Sequence, residues 1–159
     1  MYEFNYHKAS SIDDAKKLQS DAEEGKFMSG GMTLLPTLKM RLAHPSDVVD
    51  LAGISDLAGI EVTGDSVTIK AMTRHAAVAA SPEVQKAIPA LAKLASGIGD
   101  PMVRNRGTIG GSLANSDPAA DYPASVVGLG ATIHTDRRTI AGDDFFLDLF
   151  ETALEDGEM

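Results

Sequence analysis

The chain has 159 residues, 43% of them hydrophobic, with 14 basic against 23 acidic side chains and a formal net charge of −9. That length suits about one domain with a real core, and the acidic balance argues against a nucleic-acid surface or an anionic membrane. There is no cysteine, which excludes disulfides, thiolate-ligated zinc and iron–sulfur clusters within this chain. Phe4 to Ala9 alternates enough for an opening strand. Ser11 is placed to cap a helix whose Ile12, Ala15, Leu18 and Ala22 form one apolar face, with Gly25 expected to end it. Lys26 to Ser29 reads as a short buried strand. It runs into a glycine pair, after which Thr33 is expected to open a helix with Leu34, Leu35, Leu38 and Leu42 on one side.

Val48 to Leu51 is the next strand. Gly59–Thr63 and Ser66–Lys70, joined by Gly64-Asp65, carry a hairpin pattern on both arms. Thr73 is expected to cap a short helix, Ser81-Pro82 to start another, and Ile88 to Ser96 to form a third with Leu91, Leu94 and Ala95 inward. The 97–123 stretch is rich in Gly, Pro, Asn and Asp and poor in Lys and Glu, which suggests an ordered ligand loop. A second hairpin is expected around Asp136-Arg137, followed by an amphipathic piece that opens at Asp143-Asp144. Its Phe145, Phe146, Leu149 and Phe150 are expected to pack against further sequence or a neighbour. There is no internal repeat.

The strongest motif is a pair of glycine segments, Ser29–Pro36 and Thr108–Asn115. Each has a Gly-Gly pair, a hydroxyl residue within two positions and an adjoining apolar residue. Paired glycines permit positive φ and let backbone N–H groups face a ligand that a Cβ would exclude. One such segment is an ordinary turn signal; two, edged by hydroxyls, suggest a ligand with two phosphates between them. Asp117 and Asp121 could accept from sugar hydroxyls or simply form turns. Arg104 and Arg106 could hold an anion or pair with local carboxylates. His7, His44, His75 and His134 are scattered without metal-ligand spacing, and His75, far from either segment in sequence, reads as a control position. No catalytic triad or carboxylate pair stands out, so any chemistry is expected from a cofactor.

The residues S-G-G-M-T-L-L-P-T-L-K-M-R-L-A (29–43) and R-N-R-G-T-I-G-G-S-L-A-N-S-D-P-A-A-D-Y-P-A (104–124) resemble the FAD-binding medium subunit of molybdenum hydroxylases. That family includes carbon monoxide dehydrogenase, xanthine dehydrogenase and aldehyde oxidoreductase. The opening F-N-Y-H-K-A-S-S-I-D-D-A and the late D-D-F-F-L-D-L-F-E-T-A-L are also similar to it. The resemblance implies an α+β fold, a vanillyl-alcohol-oxidase-like (PCMH-type) FAD-binding domain of two subdomains, here 1–55 and 56–159. It places Ser29, Gly30, Gly31, Met32, Thr33 and Leu34 on the FAD pyrophosphate. Thr108, Gly111 and Ser112 fall on the second loop, Asp121 on the cofactor's sugar-like chain and Ile98 on the pocket lining. Many relatives have Ala at 29 and His-Ser at 32–33, so Met32 puts a polar role there in doubt while Thr33 keeps the hydroxyl.

The resemblance further implies electron transfer, with FAD passing electrons from iron–sulfur clusters to an outer acceptor. Molybdopterin is expected on a large partner subunit and two [2Fe–2S] clusters on a small one, which fits a chain without cysteine. Alternatives are a non-catalytic nucleotide-binding or assembly module, or a stand-alone flavin reductase of the same fold. Family members continue past the T-A-L stretch, so the domain is expected to be C-terminally truncated and to lack the family's C-terminal domain. No basic segment followed by an apolar run opens the chain and no apolar stretch approaches membrane-spanning length, so a cytoplasmic location is expected.

Overall fold

The computed structural model describes all residues, 1–159. Strands β1 (Asn5–Lys8), β2 (Gly25–Met28) and β3 (Asp47–Asp50) form a parallel sheet in the order β1-β3-β2. Parallel neighbours need crossovers, which helices α1 (Ile12–Ser20) and α2 (Leu34–Lys39) supply. Ser11 caps α1 as its sequence suggests, its side chain accepting from the Asp14 amide at 3.1 Å. The helix stops at Ser20, well before Gly25. Gly25 instead opens β2, where a Cβ would lie 2.9 Å from the Gln19 carbonyl, so close packing and not helix termination explains that glycine. Ala22 and Leu42 therefore fall outside their expected helices, and Leu42 is exposed. The sheet's core is Ala9, Ala15, Val49, Leu51 and Ile54.

Hairpin β4 (Ile60–Thr63) and β5 (Ser66–Ile69) pairs antiparallel around Gly64, whose φ of +59° a tight turn requires. It lies against a second, mainly helical core of Val78, Val84, Leu91, Ala92, Ala95, Ile109 and Tyr122. Helices α3 (His75–Ala80), α4 (Pro82–Ala87) and α5 (Pro89–Gly97) build that core, with Ser81 capping α4 as expected. Thr73 does not cap α3. Its hydroxyl instead bridges the amide and carbonyl of Gly59 at 3.0 and 2.9 Å, tying the hairpin to the segment before α3.

The 97–123 stretch is not a loop. It holds α6 (Pro101–Arg104), α7 (Ile109–Asn115) and the start of α8 (Tyr122–Gly128). Short polar residues make the helices possible: Asp100 accepts from the amides of Met102 and Val103, and Thr108 accepts from Gly111. Beyond them β6 (Thr132–His134) pairs with β7 (Thr139–Ala141), α9 (Gly142–Phe145) follows, and β8 (Phe146–Asp148) pairs with β9 (Glu151–Thr152). The 155–159 segment returns to the sheet side. Asp136 and Met159 exchange hydrogen bonds of 2.8 and 2.9 Å, and Lys16 of α1 reaches Asp136 at 2.7 Å. No helix is long and apolar enough to cross a membrane.

Candidate functional site

The first glycine segment leaves the C-terminal end of β2 and enters α2, the place where ligands of parallel sheets are held. Gly31 has φ +72°, so the chain there needs glycine for its conformation. Gly30 needs it for a different reason. Its backbone angle is ordinary, but a Cβ there would collide with the Arg106 carbonyl and sit 2.8 Å from Gly107 Cα. The two segments, remote in sequence, are thus pressed backbone to backbone. Ser29 completes the seam, its Cβ 3.2 Å from where a side chain on Gly111 would begin.

The second segment differs from its sequence expectation. Gly110 and Gly111 lie inside α7, and neither has positive φ. A Cβ on Gly110 would lie 2.5 Å from Ala71 Cβ, and one on Gly111 would meet Thr108 Oγ1 at 2.9 Å. Close packing selects both glycines. The amides at this helix start are already spent: Ile109 donates to the Thr73 carbonyl at 3.0 Å and Gly110 to Ala71 at 2.8 Å. Gly111 donates to Thr108 Oγ1 at 3.2 Å and Ser112 to the Thr108 carbonyl at 3.0 Å. Backbone donation to an anion from Ile109 to Ser112 is closed, and the Thr108 amide is the one left without an acceptor at this helix start.

The first segment is the reverse. The five consecutive backbone N–H groups from Ser29 to Thr33 donate to no acceptor within the protein, although Gly31 is buried and Ser29 and Gly30 are half-buried. Met32 and Thr33 are exposed, and a consecutive run of unpaired amides is the arrangement that can receive an anion. Hydroxyls surround it. Thr33 offers only its carbonyl to Thr37, leaving its own hydroxyl free, and Thr108 keeps its proton because it accepts from Gly111. Ser29 adds another, its Oγ 3.6 Å from where a Cβ on Gly111 would begin, and the half-buried Ser112 follows Gly111 in α7. The arrangement is therefore asymmetric, with amides from one segment and hydroxyls from both.

The remaining expected residues divide. Met32 is 36% exposed beside the cradle, and Leu34 begins α2. Ile98 is half-buried at the end of α5, packed on the helical core, with its carbonyl accepting from Arg104 at 2.5 Å. Asp121 is exposed at the start of α8 and makes no capping bond, so its carboxylate is free. Asp117 is a turn residue, accepting from the Ala119 amide at 2.9 Å. Arg104, Arg106 and Arg74 have no carboxylate partner; ion pairs instead use His7, Lys16, Lys70, Arg137 and Arg138. Arg74 and Arg106 thus flank the second segment of an acidic protein without a side-chain partner, while Arg104 is held by the Ile98 carbonyl.

His75 is no remote control position. Its amide donates to the Gly107 carbonyl at 3.0 Å, and a Cβ on Gly107 would lie 2.6 Å from its Nε2. Burial lowers its pKa, opposed by the nearby Asp121 charge, and its ring tilts against Tyr122 at 5.2 Å. It forms the floor under the second segment. Nothing in its sequence context signals this, because the contact is made across α3 and the α6–α7 connection. No cluster of His, Asp or Glu is placed to hold a metal ion. A cavity of about 600 Å³ lies elsewhere, between the end of α1, Gly25-Lys26 and Arg137–Gly157. It contains none of the expected residues, and its Lys16 and Arg137 are already paired with Asp136 and Glu155.

The chain is similar over almost its whole length to proteins of one family. The family model for the FAD binding domain in molybdopterin dehydrogenase matches residues 2–159. The nicotine 6-hydroxylase medium subunit of Paenarthrobacter nicotinovorans is 40% identical over 97% of this chain and 56% of its own length. The carbon monoxide dehydrogenase medium chain of Hydrogenophaga pseudoflava is 40% identical over 98% of this chain and 56% of its own. The solved structure of that carbon monoxide dehydrogenase superposes with a TM-score of 0.97 over 99% of this chain. Quinoline 2-oxidoreductase from Pseudomonas putida 86 does so with 0.95 at 34% identity, over 99% of this chain and 56% of its own. The chain spans about half the length of the relatives it matches.

Proposed function

We infer that this chain, which belongs to the family of FAD binding domains in molybdopterin dehydrogenase, binds FAD between its two glycine segments as the flavin subunit of a molybdenum hydroxylase. The observation that carries the reading is the run of unpaired amides from Ser29 to Thr33, seated directly on Arg106–Gly107. A cradle that offers consecutive donors fits a pyrophosphate. Ser112 and Thr108 supply hydroxyl donors from the facing helix, Asp121 an acceptor for sugar-like hydroxyls, and Ile98 an apolar wall. We treat 1–55 and 56–159 as the two subdomains that meet there. FAD held here supplies electron transfer between iron–sulfur clusters on a small partner subunit and an external acceptor, with molybdopterin on a large partner subunit. A cytoplasmic location belongs to the same reading.

Calorimetry with FAD and FMN tests the two-phosphate site. FAD is expected to bind much more tightly, since FMN offers one phosphate to a cradle of five amides, and equal affinities overturn the reading. Ser112→Ala removes one hydroxyl donor to a charged oxygen, worth roughly 1.5–3 kcal/mol. Its FAD affinity is expected to fall by about tenfold to a hundredfold, while the melting temperature stays put because that hydroxyl has no partner in the protein. An unchanged FAD affinity removes Ser112 from the site.

A further inference from the structure

We propose that the β8–β9 hairpin is a docking surface for a partner chain whose contacting face is an apolar recess rimmed by lysine and arginine. Phe145 is buried at 2% exposure and anchors the hairpin's base, with Phe146 edge-on to it at 5.0 Å. The tip turns the opposite way: Leu147, Leu149 and Phe150 are 59%, 66% and 62% exposed. Four residues of sequence thus present three large apolar side chains to the outside, an arrangement typical of an interaction site and unlike scattered single exposures.

The backbone holds this display in place. Phe150 sits at φ +58°, a conformation that non-glycine residues seldom adopt. It is kept there by its amide, which donates 2.9 Å to the carbonyl of Ser116, itself at φ +45° at the end of α7. The Ser116 hydroxyl also reaches the Asp148 carbonyl, and Asp148 Oδ1 accepts from the Leu149 amide at 2.7 Å. An aromatic residue carried on a cross-braced turn has its backbone already ordered, which reduces the entropy lost when it docks.

Charge selects the occupant. From Gly107 to Met159 the sequence has ten acidic residues against only Arg137 and Arg138, so this third of the chain carries −8 of the net −9. Both arginines are engaged with Glu155 and Glu158. Asp143, Asp144, Asp148 and Glu151, which flank the hairpin's apolar residues in sequence, have no cationic partner. An apolar tip in an acidic rim repels its own copy and favours a basic-rimmed recess.

The proposal rests on the chain being one subunit of a larger enzyme, and its test uses that enzyme purified with its partner chains. Leu149→Asp/Phe150→Asp is expected to weaken subunit association by about thirtyfold or more, the effect of losing at least one hot-spot anchor. Aspartate tolerates positive φ better than phenylalanine, so the hairpin itself should fold. Asp148→Lys/Glu151→Lys is expected to weaken association too, and to abolish its sensitivity to salt. Flavin content and melting temperature of the separated subunit should match wild type in both. Wild-type association in the Leu149→Asp/Phe150→Asp enzyme overturns the proposal. So does protection of the Leu147, Leu149 and Phe150 side chains from hydroxyl-radical labelling in the isolated chain, whether by its own polypeptide or, concentration-dependently, by a second copy. Loss of flavin from wild type with the association defect intact sinks the FAD reading and leaves the docking surface standing.

Discussion

Replacing Gly30 with valine is expected to abolish FAD binding and to destabilise the fold by about 1–3 kcal/mol, the usual cost of forcing atoms into a filled site. The backbone angle at Gly30 suits any residue, so the whole effect is steric. The obstructing atoms are the Arg106 carbonyl and Gly107 Cα, both main chain, and neither can rotate aside as a side chain would. The two glycine segments must therefore separate, and the amides of Ser29 to Thr33 leave the hydroxyls of Thr108 and Ser112. Gly31→Ala is expected to do less. It carries the strain of φ +72°, about 1 kcal/mol, but its nearest obstacle is the mobile end of Leu35 at 3.0 Å. Gly128→Ala serves as the control, because nothing lies within 4 Å of a Cβ there. Flavin absorbance per protein and the melting temperature read all three. Stoichiometric flavin in Gly30→Val would falsify the contact between segments as the basis of the site.

Glu158→Gln is expected to lower stability at neutral pH and to flatten the acid limb of the stability curve. The Glu158 carboxylate is fully buried and accepts four hydrogen bonds. Two come from Arg138 at 3.0 and 2.9 Å, one from the Thr135 hydroxyl at 2.6 Å and one from the Glu155 amide at 2.8 Å. The Arg138 hydrogen bonds are the main reason its pKa is lowered from 4.5 to about 2. A carboxylate depressed in the folded state stabilises above its unfolded pKa, and that stability is lost as pH falls through the folded one. Wild type should thus lose stability between about pH 4.5 and 2. Glutamine keeps the shape but presents N–H groups to donors, at a cost of about 1.5–3 kcal/mol. Thermal melts from pH 7 to pH 2 check both; a variant with the wild-type acid slope would show that other carboxylates govern it. The same segment reaches Asp136 and, through it, Lys16, so this clasp also joins the second hairpin to α1.

Local chemistry was legible where a few neighbouring residues decide it. Ser11 capping α1, Ser81 before Pro82 and the Gly64 turn all act within one turn of chain, and each is found where its sequence pattern places it. The glycine segments and their family resemblance were legible as well. What the glycines do was not. Only Gly31 uses the freedom of positive φ; Gly30, Gly110 and Gly111 answer to Arg106, Ala71 and Thr108 pressed against them. The stretch from 97 to 123 reads as a loop because its Asp, Pro and Gly are turn formers in isolation. In the fold the same Asp100 and Thr108 become helix caps, and at Thr108 the helix start is further held by the carbonyls of Ala71 and Thr73, which take the amides of Gly110 and Ile109. His75 likewise gains its place from Gly107, not from its neighbours in sequence. The residue types and spacing determined the candidate site, since they govern propensity and pattern over three or four positions. Which amides stay free and which are spent was decided only by tertiary structure, because a hydrogen-bond partner across the fold is set by packing and leaves no mark on the local sequence.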